Sequence, residues 1–224
     1  MLNLRTFSLA GGKRAHLRTS VHKIAKSGIT VHRYDVGHRM DANVGDQLES
    51  ISQEWLAERH VSERSFILGR FSLDSIKDVP VFYSIQDGKV QAFCSWLPYR
   101  GNTAVVIDVM RRRSQSIPGT MDQLIAESLL QLQADGFVEA SLGNAPMQIP
   151  PEPQGAMERG VAQLFENMNS FYGYKDLHQF KKKFGPRWES RYLVHPRGAD
   201  MLRVARSLTS VHSSGGLRQL LFRG

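Results

Sequence analysis

Three tight groups of cations stand out: Arg111-Arg112-Arg113, Lys181-Lys182-Lys183, and the stretch from Arg187 to Arg191. A guanidinium grips phosphate through two parallel hydrogen bonds, so Arg111 and Arg112 are candidates for holding one; the alternative is a solvated basic surface. Lys183, Arg187 and Arg191 surround Trp188. A ring among cations can hold a nucleobase by stacking and charge, although tryptophan is more often a core anchor. Two carboxylates are placed to handle protons. Asp108 stands near the end of a nearly all-apolar strand, where its alternative role is an ion pair with Arg111, three residues on. Glu166 falls on a helix after a Pro-rich loop, a second candidate base.

Pro118-Gly119 precedes a helix start. Proline suits a first turn, and glycine lets a ligand approach backbone N–H groups that have no helical partner. The same dipeptide is also ordinary punctuation between elements. Asp122 falls in the first turn of that helix, as a ligand contact or as an acid complementing the helix dipole. Cys94, alone and mid-strand, reads as an inert sheet residue, and no His-x-x-x-His pair lies on a clear helix, so no residue is assigned to a metal.

The charge balance sharpens this reading. The chain of 224 residues carries a net charge of +8 and has a pI near 9.8, so nucleic acid, anionic lipid and phosphorylated cofactors are all attracted to it. The bland alternative is a mildly basic protein with no polyanionic partner. A single cysteine excludes an intramolecular disulfide and fits a reducing compartment. No apolar run approaches the roughly 18 residues that span a bilayer, and the first residues lack the apolar core of a signal peptide. The expectation is a cytoplasmic chain that at most sits on a membrane surface.

The elements that must position these residues follow from periodicity. Leu17, Val21, Ile24 and Ala25 recur at helical spacing among Arg18, His22, Lys23 and Lys26, which predicts a basic amphipathic helix over 16–27 ending at Gly28. A short strand, 29–34, and a helix over 44–59 follow. Residues 80–86 and 90–97 alternate on either side of Asp87-Gly88 and predict a hairpin. The strand 103–110, apolar until Asp108, reads as a central strand covered on both faces. After the basic loop come a helix over 120–135, a strand over 137–142, helices near 156–169 and 174–183, a strand over 191–194 and a helix near 198–210. The expected architecture is mixed α+β: a mostly antiparallel central sheet flanked by helices. Residues 1–28 supply a basic helix packing on or leading into the main domain over 29–212, and 213–224 form a tail.

Hairpin, long apolar strand, basic loop, helix and strand form the element order of the GNAT acyltransferase fold. Five strings occur in order: Phe-Ile-Leu-Gly-Arg-Phe at 66–71, Ile-Asp-Val-Met-Arg-Arg-Arg at 107–113, Pro-Gly-Thr-Met-Asp-Gln-Leu at 118–124, Ser-Leu-Gly-Asn-Ala-Pro at 141–146, and Phe-Lys-Lys-Lys-Phe-Gly-Pro-Arg-Trp-Glu-Ser-Arg-Tyr at 180–192. Together, over roughly residues 11–196, they resemble the motif series of the C-terminal domain of the aminoacyl-phosphatidylglycerol synthases, the multiple peptide resistance factors. Asp176-Leu177-His178 departs from the family's usual Gly-Leu-Arg and replaces a cation with a titratable ring.

That resemblance implies a GNAT-like aminoacyltransferase taking aminoacyl-tRNA as donor and phosphatidylglycerol or a related acceptor, with no cofactor and no metal. Partners would be the tRNA, an anionic membrane surface at its inner face, and a membrane-embedded partner domain. Under it, Asp108 orients the donor's α-amine or assists proton removal, with Glu166 as second base. Arg111, Arg112, Gly119, Asp122, Lys183, Trp188 and Arg191 would contact substrate. Two other functions compete: an acetyl-CoA-dependent N-acetyltransferase, against which the lone loop glycine counts, and a non-catalytic module binding tRNA or anionic membrane.

Overall fold

The computed structural model describes residues 1–35, 42–59, 71–145 and 174–190. In chain order these form β1 (Leu2–Asn3), α1 (Ala15–Lys26), β2 (Thr30–Tyr34), α2 (Ala42–Arg59), β3 (Val81–Gln86), β4 (Lys89–Tyr99), β5 (Ala104–Arg112), α3 (Thr120–Ala134), β6 (Glu139–Ser141) and α4 (Tyr174–Lys182), with 3-10 turns at Leu4–Thr6 and Leu73–Ile76. The helices predicted near 156–169 and 198–210 and the strand 191–194 lie outside the described residues, as do Glu166 and Arg191.

The sheet has six strands in the order β1-β6-β5-β4-β3-β2. All neighbours are antiparallel except β5 and β6. This is the mostly antiparallel, helix-flanked GNAT-like architecture expected. Asp87 and Gly88 both adopt positive φ, 49° and 74°, as a two-residue hairpin turn requires. The β1 pairing was not foreseen: two residues at the head of the chain pair with β6, and Leu4 and Phe7 follow them into the core.

Helices cover both faces. On one, Leu17 and Val21 of α1 and Leu124, Ile125 and Leu129 of α3 pack with Phe82, Cys94 and Trp96 of the sheet and with Phe184. On the other, Val44, Leu48 and Ile51 of α2 pack with Tyr83, Phe93 and Val109. The strand covered on both faces is β4, buried from Ala92 through Trp96, not β5 as expected. On β5 the α2 layer reaches Val109 and Arg111, while Asp108 is exposed and Val106 and Ile107 are half-buried. Alternation predicts which residues share a face but not how far the covering helix extends.

Candidate functional site

The long strand β5 is irregular where its acid lies. Cys94 pairs with Met110, but Trp96 pairs with Ile107, so Asp108 and Val109 together oppose Ser95. This is a β-bulge, a device that often re-aims a side chain beside a functional site. The buried Ser95 hydroxyl accepts from the Val109 amide at 3.2 Å, satisfying a backbone group that the ladder leaves over. Asp108 is therefore not the buried strand-end acid expected but an exposed side chain on a bulge. Partial burial holds its pKa above the ordinary carboxylate value, and the Arg111 charge partly offsets this.

Arg111 and Arg112 part company, because successive strand residues face opposite sides. Arg111 is 3% exposed. Its Nη1 donates to the Ser52 hydroxyl of α2, and its guanidinium lies 5.2 Å from the centre of the Trp55 ring. Arg112 is exposed and donates to the Ser116 hydroxyl at 3.1 Å, bracing the loop after β5. Of the two arginines expected to hold phosphate, Arg111 is buried under α2 and Arg112 is the exposed one. Glu54 of α2 completes the brace: its carboxylate accepts from the Ser114 hydroxyl at 2.6 Å and from Arg113 at 3.3 Å. These bonds hold its pKa below the usual glutamate range, the Ser114 hydroxyl first among them.

The parallel pair opens into a fork. β5 and β6 stay paired only to Val106 and Ser141, and beyond this Gly143, at φ 72°, turns the chain away. In open α/β sheets the carboxyl ends of parallel strands are where crevices form. Into this one α4 projects Lys181. Its side chain is 5% exposed, and its Nζ donates to the Asn144 carbonyl at 2.7 Å. A Cβ placed on Gly143 would lie 3.7 Å from that Nζ and 3.8 Å from the carbonyl oxygen of Ile107, the residue before Asp108. Among the described residues no carboxylate pairs with Lys181, and burial pushes its pKa down to about 8. An amine so tuned has a neutral fraction of roughly a fifth near physiological pH and can take a proton. Sequence reasoning passed over Lys181 in favour of Lys183. A signal was present: Leu177, Phe180, Lys181 and Phe184 occupy one helical stripe, so the lysine sits at an apolar position.

The start of α3 looks quite different. Gly119 does permit a close approach, at φ 104°, but the approaching group is α1. A Cβ there would meet the Ser20 hydroxyl at 2.8 Å and Ile24 at 3.1 Å. Asp122 accepts from the Ser20 hydroxyl at 3.0 Å, and both its oxygens accept from Lys183 Nζ at 3.0 Å. Gly119, Asp122 and Lys183, expected to contact substrate, lie where α1, α3 and the end of α4 meet. Ser20 and Ile24 of α1 fill the space beside Gly119, and Thr120 is wholly buried.

Trp188 is no core anchor. It is 45% exposed, and its ring lies 4.5 Å from that of His178 at 35°. Cys94 is buried, and burial raises its thiol pKa to about 12, which makes it unreactive at neutral pH.

Comparison with known proteins places these residues in context. The model of the family described as phosphatidylglycerol lysyltransferase, C-terminal, matches residues 1–195. The phosphatidylglycerol lysyltransferase of Bacillus subtilis is 29% identical over 203 residues, covering 89% of this chain and 23% of that protein. That of Staphylococcus aureus strain N315 is 26% identical over 198 residues, covering 87% and 23%. The chain thus spans less than a quarter of the length of these curated relatives. Among solved structures, the C-terminal domain of a protein assigned as a lysylphosphatidylglycerol synthetase from Agrobacterium fabrum superposes with a TM-score of 0.77 at 34% identity, covering 96% of this chain and 64% of that one. L-PGS from Bacillus licheniformis gives 0.76 at 24%, covering 95% and 63%, a likeness of fold.

Proposed function

The chain belongs to the phosphatidylglycerol lysyltransferase C-terminal family, and we propose that it transfers an amino acid from aminoacyl-tRNA to the hydroxyl of phosphatidylglycerol or a related acceptor, at the fork between β5 and β6. The observation that carries this reading is the buried Lys181 amine at the mouth of the fork, which among the described residues meets a backbone carbonyl and no carboxylate and whose pKa burial lowers to about 8. Acyl transfer to a hydroxyl needs a base of this kind, held out of water and poised near neutral pH.

In this reading the neutral Lys181 amine takes the proton of the acceptor hydroxyl as its oxygen attacks the aminoacyl carbonyl. The new ester bond forms, the bond to the tRNA ribose breaks, and the same proton passes from Lys181 to the departing ribose oxygen. Asp108, on the bulge beside the fork, holds the donor's α-ammonium, which brings an ionised carboxylate next to a cation. Arg111, set by Ser52 and Trp55, fixes the strand on which Asp108 stands. No step uses acetyl-CoA or a metal. Among the described residues no helix is long and apolar enough to cross a membrane; the acceptor would be met at the cytoplasmic face of an anionic bilayer, where the net charge of +8 favours docking.

The test is to mix the protein with labelled aminoacyl-tRNA and phosphatidylglycerol vesicles. Label appearing in lipid is the expected result. CoA-dependent acetylation in its place, or binding of tRNA and vesicles without any lipid product, overturns the proposal.

A further inference from the structure

We propose that Trp188 and His178 form a stacking platform for the unpaired terminal base of an RNA donor, His178 standing one helical turn before Lys181 on α4. The proposal rests on the reading above that the donor is aminoacyl-tRNA, and it adds the place where the donor's end is held.

A tryptophan 45% exposed leaves a large flat surface in water. The His178 ring lies against it, tilted by 35° with its centroid 4.5 Å away. The segment carrying Trp188 is anchored. The Phe184 carbonyl accepts from Arg14 Nε at 2.8 Å, and the Arg187 amide donates to the Met1 carbonyl at 2.8 Å. The ring is thus presented on held backbone, which lowers the entropy cost of stacking a ligand on it.

The surroundings select the ligand. On α4, Lys181 and Lys182 follow His178 by three and four residues, so all lie within one turn of each other on neighbouring lines of the helix. Lys181 points into the fork and Lys182 is exposed. Among the described residues Lys182 pairs with no carboxylate, which leaves its charge for a phosphate. Arg187, beside Trp188, is exposed and shares its charge with Glu189 at 2.7 Å. An exposed ring with a cation at hand is how proteins hold unpaired nucleotides, because every base has a π-face and every linkage a phosphate. A surface that enters a bilayer instead sets several large apolar side chains together. Here the residues on either side of Trp188 in the chain are Arg187 and Glu189, both exposed and charged.

The test compares two RNA hairpins, one ending in an unpaired CCA tail and one blunt, with binding followed by fluorescence anisotropy on variants shown by circular dichroism to be folded. Trp188→Ala is expected to weaken the tailed hairpin about 5- to 100-fold and to leave the blunt one unchanged. Trp188→Phe should keep most of the affinity and His178→Ala should lose part of it, so the test does not depend on a single variant. Equal affinity of parent and all variants for the tailed hairpin overturns the proposal. So does a loss by Trp188→Ala confined to phosphatidylglycerol vesicles, which would make the ring a lipid anchor. A parent protein that prefers the tailed hairpin through Trp188 yet moves no label from aminoacyl-tRNA into lipid would sink the transfer reading and leave the platform standing.

Discussion

Two lysines from one run, Lys181 and Lys183, meet opposite fates. Lys183 remains 45% exposed and reaches the Asp122 carboxylate, which is itself only 8% exposed. Lys181 is turned inward and, among the described residues, finds a backbone carbonyl and no carboxylate. The first closes the start of α3, the place where sequence most resembles a phosphate cradle. The second stands at the open end of the β5/β6 pair, where three of the ordered strings, 107–113, 141–146 and 180–192, come together. A satisfied ion pair is a clasp, whereas a buried amine without a carboxylate is an unpaid desolvation cost that selection keeps only where its chemistry is used.

The largest expected effect is at Lys181. Lys181→Met should lower turnover about 10²- to 10⁴-fold, and the parent's rate should rise with pH through about 8, an inflection the variant lacks. The sign for stability follows from the same shift. The unfolded chain holds this proton more tightly than the folded one, so stability rises between about pH 8 and the ordinary lysine value, and Lys181→Met should flatten that rise in thermal melts. An unchanged pH–rate profile in Lys181→Met would remove the amine from the reaction.

Asp108→Asn comes next, with turnover down roughly 10²-fold and tRNA affinity held or tightened, since a charge that repels a polyanion is gone. Because partial burial already disfavours the charged form of Asp108, the amide should melt no earlier than the parent at neutral pH. Activity lost in proportion to folded protein would make Asp108 a structural residue.

Lys183→Met should do the reverse. It leaves the buried Asp122 with Ser20 alone, costing about 1–2 kcal/mol of stability after allowance for the exposure of the lysine. Turnover per folded molecule should stay within about twofold. A large loss of turnover without a lower melting temperature would return Lys183 to the substrate. The smallest effect is an expected absence of signal: calorimetry with micromolar acetyl-CoA should show no saturable heat, and a tight complex would mean that α1 can leave Gly119.

What the sequence determined by itself is the set of elements and their order. The α1 stripe Leu17, Val21 and Ile24, the Asp87-Gly88 hairpin, and the 120–135 helix are written in spacings of a few residues, where backbone geometry alone dictates periodicity and turn chemistry. The five ordered strings carried the family. The tertiary structure decided which of the candidate residues are free to act. Gly119 is filled by a helix that precedes it by some ninety residues. Lys183 is neutralised by an acid 61 residues away, and Lys181 is buried against a carbonyl 37 residues away. The bulge at Asp108 exists because Ser95, 14 residues back, supplies the missing acceptor to Val109. Burial and charge satisfaction depend on which surfaces meet, and no window of neighbouring residues holds that information.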